Sequence, residues 1–342
     1  LLFQAVEEAL VTAYKKNFGS NQNVRVDMNK VTGELHIYAQ RHIVAEVGDD
    51  PNEISLEEAR KIDPRYEFDD IVETEVTPRN FGRIAAQNAK QVVVQRIREA
   101  ERGMVFEKFS SRENDIVTGI IQRMENKNVY IDLGKAEAIL TPNEQIPGEI
   151  YQYHDRMKTY IVEVKKTSKG PQIMVSRTHP GLLKRLFELE VPEIHDGLVE
   201  IKSVAREPGM RSKISVYTKD ENIDPVGACV GHKGMRVQTI VNELRGEKID
   251  IVKYSSEPDQ YVANALSPAK VVSTEVLEEE KICRVIVPDY QLSLAIGKEG
   301  QNARLAAKLT GWKIDIKSES QAAEEAEQGA QEVGVAYEAD ED

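Results

Sequence analysis

The chain has few of the residues on which several classes of protein depend. It contains only two cysteines, Cys229 and Cys283, too few for a disulfide framework or a four-thiolate zinc site. No apolar run approaches the roughly 18 residues of a membrane span. The chain also lacks the Gly-x-x-x-x-Gly-Lys-[Ser/Thr] loop of nucleoside triphosphatases, and its six histidines show no metal-ligand spacing. We therefore expect no membrane contact, no catalytic residue, no metal and no cofactor.

Basic residues are also in deficit, with 45 Lys and Arg against 58 Asp and Glu, a net charge of −13 over 342 residues. Taken alone, this charge argues against nucleic-acid binding. The deficit is uneven, however, because residues 319–342 contain nine acidic and no basic side chains. This segment has too few large apolar residues to pack, which predicts a disordered acidic tail. Residues 1–105 carry a net charge of −4, so residues 106–318 are neutral overall.

The N-terminal region predicts a mixed α/β domain. An apolar stripe indicates a helix over residues 1–18, and two strand-like runs follow at Val24–Met28 and Glu34–Val47. Thr77 and Pro78 are typical of an N-cap and a first helical position. They predict a long helix that continues to about Arg102.

Short alternating runs replace this pattern between Glu113 and Arg177. Five such strands within about 65 residues favour a small β-barrel of the OB type, although an SH3-like barrel would give a similar pattern. The five runs are Ile116–Met124, Val129–Leu133, Ala136–Leu140, Thr159–Lys165 and Gln172–Ser176.

An internal repeat is the strongest signal in the chain. Gly231-His232-Lys233-Gly234 recurs 66 residues later as Gly297-Lys298-Glu299-Gly300, and Lys-Ile-Asp-Ile follows both copies, at residues 248–251 and 313–316. Two strand-like runs precede each copy. This order of elements predicts two copies of one domain.

The Gly-x-x-Gly turn has a chemistry suited to phosphate. Glycine lets the backbone approach a sugar-phosphate chain, and the helix that follows offers free N–H groups and a positive dipole end. Tight turns between helices also use glycine for geometry alone, so it is the duplication that favours a function. The first turn, with Arg236, has no acid nearby in sequence. In the second, Glu299 offsets Lys298, and Arg304 is expected to compensate.

Together these features resemble a known family. The repeats resemble KH domains of the bacterial type (type II), and the barrel resembles an OB fold of the S-one type. Four segments resemble the NusA family of transcription factors closely: residues 176–178, 189–194, 204–209 and 224–231. The resemblance implies a multidomain α+β chain with a long helix in its first domain. We expect an N-terminal domain at residues 1–107, the barrel at 108–178, KH domains at 179–257 and 258–318, and the tail at 319–342.

The resemblance also implies a function. Residues 1–107 are expected to bind RNA polymerase, and the remaining domains nascent single-stranded RNA, so that pausing, termination and antitermination are modulated. Other elongation factors are expected partners of this non-enzymatic, cytoplasmic monomer. Two alternatives that also use KH and OB modules are an RNA-degrading enzyme and a ribosome-assembly RNA chaperone.

Further site residues come from the barrel and from one hairpin. Tyr130 lies where S-one-type barrels usually carry a stacking aromatic, and Leu140 where a second ring is usual. Tyr130 could equally be a half-buried strand residue. Around the Pro208-Gly209 turn, basic side chains are expected either to steer RNA or to form a solvated hairpin tip; these are Arg206, Arg211 and Lys213.

Overall fold

The computed structural model describes residues 2–18, 21–29, 32–49 and 51–325. The chain divides into two compact units, one up to Met104 and one from Val105 onward.

The first unit is a four-stranded sheet with helices. Its elements are α1 (Leu2–Phe18), β1 (Val24–Met28), β2 (Leu35–Val44), β3 (Glu53–Ser55), α2 (Leu56–Ile62), β4 (Ile71–Glu75) and α3 (Phe81–Ser110), whose last turns belong to the second unit. Strand β2 pairs antiparallel with β1 and β4 and parallel with β3. Leu10, Ile37 and Phe81 are fully buried in the core between the sheet and the helices.

The predicted start of the long helix is wrong. Helix α3 begins at Phe81 and ends at Ser110. The hydroxyl of Thr77 does not cap it, because that oxygen accepts a hydrogen bond from the backbone N–H of Ile37 (2.9 Å) and donates one to Glu75 (3.0 Å). Thr77 therefore ties the segment that follows β4 to strand β2, and it does not cap the helix.

The second unit begins with a closed five-stranded barrel, as the sequence predicts. Its strands are β5 (Ile116–Glu125), β6 (Asn128–Asp132), β7 (Glu137–Leu140), β8 (Arg156–Thr167) and β9 (Gly170–Ser176). They close in the order β5, β6, β7, β9, β8. Alternate side chains point inward, and Ile121, Ile131 and Leu140 are fully buried in the barrel core.

Two domains of the same topology follow, which confirms the repeat. The first contains α4 (Pro180–Glu190), α5 (Pro192–His195), β10 (Glu200–Glu207), β11 (Arg211–Tyr217), α6 (Pro225–Val230), α7 (Met235–Glu243) and β12 (Lys248–Lys253). The second contains α8 (Pro258–Ala265), β13 (Ser273–Leu277), β14 (Ile282–Val287), α9 (Leu292–Ile296), α10 (Gln301–Thr310) and β15 (Lys313–Ser318). In each sheet the central strand pairs antiparallel with the strand before it and parallel with the last strand.

The predicted tail is not entirely without structure. Residues 319–325 are helical, and Ser320 bonds Asp289 through its backbone N–H (3.2 Å) and its hydroxyl (2.7 Å). The expectation of disorder is therefore wrong for these seven residues. Residues 326–342 of the predicted tail lie outside the described residues.

Buried polar contacts join the three modules of the second unit. The guanidinium of Arg177, which is 1% exposed, pairs with Glu149 and donates to the carbonyl oxygens of Lys158 (2.9 Å) and Glu243 (3.1 Å). Since Glu243 belongs to α7, this contact fixes the barrel on the first repeat. The hydroxyl of Tyr261, on α8, lies 2.8 Å from Oγ of Ser215 in β11, which joins the two repeats.

Candidate nucleic-acid interface

The first glycine of each turn is required by both conformation and space. Asp224 caps the N-terminus of α6, and Gly231 is its C-cap; Gly297 is the matching C-cap of α9. Gly231 has φ of 73° and ψ of 175°, and Gly297 has φ of 77° and ψ of 171°. Both pairs of angles fall in a region that is essentially restricted to glycine. A Cβ at Gly231 would lie 2.6 Å from Cγ of Arg236, and one at Gly297 would lie 2.8 Å from Cβ of Asn302. The chain can therefore turn this tightly only with glycine at both positions.

The rest of the turn is repeated in the same detail. Lys233 and Glu299 both have left-handed backbones, with φ of 51° and 54°. Gly234 and Gly300 follow with φ of 76° and 73° and are the N-cap residues of α7 and α10. No side chain of the described residues caps either helix. The N–H groups of Met235 and Gln301 donate to the carbonyl oxygens of His232 and Lys298, so the first N–H group of each helix is used within the turn. The positive end of each helix dipole still lies at the turn and favours an anion there.

The exposed side chains of the turns differ in charge. His232 and Lys233 are exposed in the first turn, and Lys298 and Glu299 in the second. The two lysines form no ion pair with any residue that the structure describes. The first turn thus presents uncompensated positive charge, whereas Glu299 offsets Lys298 in the second.

Arg236 is not the free cation that the sequence suggested. Its Nη1 lies 2.9 Å from a carboxylate oxygen of Glu193 and donates to the carbonyl oxygen of Ala228 at 2.6 Å. The matching residue of the second repeat is Asn302, whose Nδ2 donates to the carbonyl oxygen of Ala295 at 3.0 Å. Both side chains therefore secure the end of the helix that precedes the turn. The stretch around Arg236 contains no acid, as the sequence shows, but the fold brings Glu193 from 43 residues away to pair with it.

Arg304 is also engaged. Its Nε donates to Glu207 at 2.6 Å, and its Nη1 donates to the carbonyl oxygen of Glu299 at 3.0 Å. Glu207 accepts a second bond from Gln301, and the hydrogen bond from Arg304 is the largest of the causes that lower the pKa of this carboxyl. Instead of compensating Glu299, Arg304 links the second turn to a carboxylate of the first repeat.

Arg206 lies inside the protein and not at a hairpin tip. It forms two hydrogen bonds with Glu247, at 2.8 and 2.9 Å, and the two side chains are 1% and 0% exposed. Burial alone would raise the pKa of Glu247, but the bonds from Arg206, Ser212 and the N–H of Gly209 hold it below its usual value. The predicted role of Arg206 in steering RNA is therefore wrong.

Arg211 and Lys213 converge on one acid. Lys213 is fully buried, and its Nζ lies 3.0 Å from Asp250 and donates to the carbonyl oxygen of Ser267 at 2.7 Å. Arg211 makes two bonds with the same carboxylate, at 2.8 and 2.9 Å, and keeps about a quarter of its side chain exposed. Lys213 therefore cannot contact RNA, and the charge of Arg211 is largely neutralised.

A groove of about 440 Å³ lies where the two repeats meet beside the second turn. Met210, Arg211 and Lys248 line it from the first repeat, and Leu294 and Lys298 from the second. Lys248 was not among the site residues predicted from the sequence. The repeat could have indicated it, because both Lys-Ile-Asp-Ile segments begin with a lysine, and the structure shows that both of these lysines are exposed.

The barrel offers one ring at the predicted platform. Tyr130 is half-buried on the outer face of β6, with the guanidinium carbon of Arg123 4.0 Å from the centre of its ring. Leu140 is fully buried in the barrel core, so its position could not present a second ring to a ligand.

The described residues contain no helix that is long and apolar enough to cross a membrane.

Four family models match the chain in succession. They are the NusA N-terminal domain over residues 1–103, the S1 RNA binding domain over 110–176, the NusA-like first KH domain over 177–254 and the NusA-like second KH domain over 258–324.

Curated relatives agree with these matches over most of their length. The transcription termination/antitermination protein NusA of Halalkalibacterium halodurans is 66% identical over 324 residues, which are 95% of this chain and 85% of that protein. The protein of the same name from Bacillus subtilis is 66% identical over 95% of this chain and 87% of its own length. The one from Thermus thermophilus is 42% identical over 92% and 84%. On this evidence the expected resemblance is confirmed, and the chain belongs to the NusA family of transcription termination/antitermination proteins.

Proposed function

We propose that the chain binds nascent single-stranded RNA through its barrel and KH domains and RNA polymerase through residues 1–107. It thereby modulates pausing, termination and antitermination. The observation that carries the RNA part is the duplicated turn, in which exposed side chains precede a helix N-terminus whose N-cap glycine makes no side-chain hydrogen bond.

The chemistry of the turns fits a phosphodiester backbone. Helix N-termini bind phosphate through N–H groups and their dipole, and KH domains hold about four backbone nucleotides at such a turn. Lys233 supplies a positive charge that pairs with no acid of the described residues, and Lys298 supplies one that Glu299 offsets in the second domain. If about six phosphates are contacted, the logarithm of the affinity falls with the logarithm of the salt concentration with a slope near −4. The groove beside the second turn extends this surface with Lys248.

The polymerase part is supported by family membership and by the surface of the first unit. Three large apolar side chains within ten residues are exposed there, Ile62, Phe68 and Ile71, as in many protein-binding surfaces. A polymerase-bound chain would hold its KH turns at a high effective concentration beside the emerging RNA, so weak RNA sites suffice. In this proposal the protein acts as a cytoplasmic monomer, by binding and not by catalysis, with other elongation factors as further partners.

The test replaces residues 232–233 and residues 298–299 by Asp-Asp in the full chain. Because Asp tolerates the left-handed conformation of Lys233 and Glu299, the turns should keep their shape while losing positive charge. We expect RNA crosslinking to be lost and retention on RNA polymerase to be unchanged.

A matched control exists in the β13–β14 hairpin. Lys281 has the same left-handed backbone, φ of 52°, without a Gly-x-x-Gly turn. Replacing residues 280–281 by Asp-Asp should leave RNA crosslinking intact. Unchanged crosslinking in the turn variants would reject the proposed role of these turns in RNA binding. Phosphate-dependent release of nucleoside diphosphates would favour a degrading enzyme, and co-sedimentation with ribosomal subunits a chaperone.

A further inference from the structure

A bulge in strand β5 changes the direction of one arginine. The register of β5 against β6 shifts between Ile121 and Arg123, so Gln122 is the extra residue. In a regular strand, Ile121 and Arg123 would point to the same side. Because of the bulge, Ile121 is buried in the core while Arg123 lies opposite Tyr130 on the outer face.

The redirected guanidinium covers the ring and is held there. Its carbon lies 4.0 Å from the centre of the Tyr130 ring, and its two terminal nitrogens donate to Glu137 at 2.7 and 3.0 Å. The Arg123 side chain is nonetheless 49% exposed. The guanidinium therefore lies over the ring while about half of the Arg123 side chain remains accessible to a ligand.

This arrangement changes which group an RNA base can reach. A base that stacks on Tyr130 from the side of the guanidinium must displace Arg123. Nucleotide bases also stack on guanidinium planes, and a plane that is already fixed loses little conformational freedom when a base arrives.

We propose that the barrel binds an unpaired RNA base on the side of the Arg123 guanidinium that is turned away from Tyr130, so that base, guanidinium and phenol ring form one stack. Glu137 is the positioning residue that fixes the plane. Since Glu137 already neutralises the charge, this contact depends on planarity more than on charge, and it favours no particular base. The proposal rests on RNA binding by this chain, as proposed above, and assigns the barrel contact to a residue that the sequence did not indicate.

The test uses the full chain and RNA oligonucleotides of about 20 nucleotides with a single 4-thiouridine at successive positions. Crosslinks are mapped by mass spectrometry to barrel peptides and to KH peptides. The variant Arg123→Lys keeps the charge and removes the plane, and Arg123→Ala uncovers Tyr130. We expect both to reduce barrel crosslinking at least about five-fold, since a stacked base contributes roughly 1–3 kcal/mol. Crosslinks to the KH peptides should not change.

Three results would overturn the proposal. Increased barrel crosslinking in Arg123→Ala would make Tyr130 itself the platform, and wild-type crosslinking in Arg123→Lys would reduce the contact to charge. KH crosslinks without any barrel crosslinks in the wild type would mean that the barrel does not bind RNA. Absence of both barrel and KH crosslinks in the wild type would instead contradict the proposed function. Arg284→Lys is the matched control, because Arg284 is a similarly exposed strand arginine that pairs with Glu275 at 3.4 Å.

Discussion

The carboxylate of Glu207, in the first KH domain, accepts a hydrogen bond of 2.6 Å from Nε of Arg304, in the second. The same guanidinium donates to the backbone of the second Gly-x-x-Gly turn, at the carbonyl oxygen of Glu299. A protein anion thus already pairs with an arginine that contacts the turn where an RNA phosphate is expected.

Replacing Glu207 by Gln should release this arginine. We expect tighter RNA binding and a salt dependence that is steeper by about 0.7, the value for one additional phosphate contact on a single strand. The measurement is RNA affinity at several salt concentrations. Glu275→Gln, which frees Arg284 on the sheet, should leave the slope unchanged. Weaker binding by the Glu207 variant would show instead that the carboxylate is needed to hold the second turn in place.

Arg206 should matter for folding and not for RNA. Replacing it by Ala leaves the buried carboxylate of Glu247 without its partner, and breaking such a pair costs about 3–5 kcal/mol. Urea unfolding of the full chain should show this loss. RNA affinity under conditions where the variant remains folded should match the wild type. A stable variant with weak RNA binding would restore the steering role predicted from the sequence.

Glu247 should also make stability depend on pH. Its pKa is lowered in the folded protein from an ordinary value of 4.5, so its contribution is fully present above that pH and is lost as the pH falls through the folded pKa. We expect the difference in melting temperature between the wild type and Glu247→Gln to be largest near pH 7. It should shrink below about pH 4.5. A difference that is constant from pH 7 to pH 3 would contradict the depressed pKa.

Substitution of the first glycine of the first turn, Gly231, should cost more stability than substitution of the last, Gly234. At Gly234, where a Cβ would meet nothing within 4 Å, substitution by Ala carries only the left-handed penalty, about 1 kcal/mol. At Gly231 the same change adds a contact of 2.6 Å with Arg236 and a backbone region reserved for glycine, for a loss of about 3 kcal/mol or more. Urea denaturation of the two variants compares them directly, and equal losses would refute the steric argument.

Local patterns predicted much of this fold. Strand alternation located the barrel, and self-similarity at 66 residues located both KH turns, because these features depend on residues close together in sequence. Thr77 shows the limit of such reasoning. A threonine followed by proline is typical of an N-cap. The hydroxyl oxygen of Thr77 instead accepts a bond from the backbone N–H of Ile37, forty residues away, and a local pattern cannot reveal that partner.

Charge at the site was predicted less well, for the same reason. The acids that neutralise the basic candidates lie far along the chain: Arg206 pairs with Glu247 across 41 residues, and Arg304 with Glu207 across 97. Lys233 was predicted as an exposed cation and is one, because no acid of the described fold approaches it. Counting charges over a short stretch of sequence therefore identified the exposed lysines of the turns, but it overestimated the positive charge that the arginines offer to RNA.

The left-handed backbones of Lys233 and Glu299 make both turns less stable than they would be with glycine at these positions. Each conformation costs a residue with a side chain roughly 1 kcal/mol or more, and glycine would remove that cost. A chain selected for stability alone would favour glycine at both positions. The turns instead retain a long side chain in the strained place, so the fold gives up stability to present one lysine and one glutamate to whatever lies in front of them.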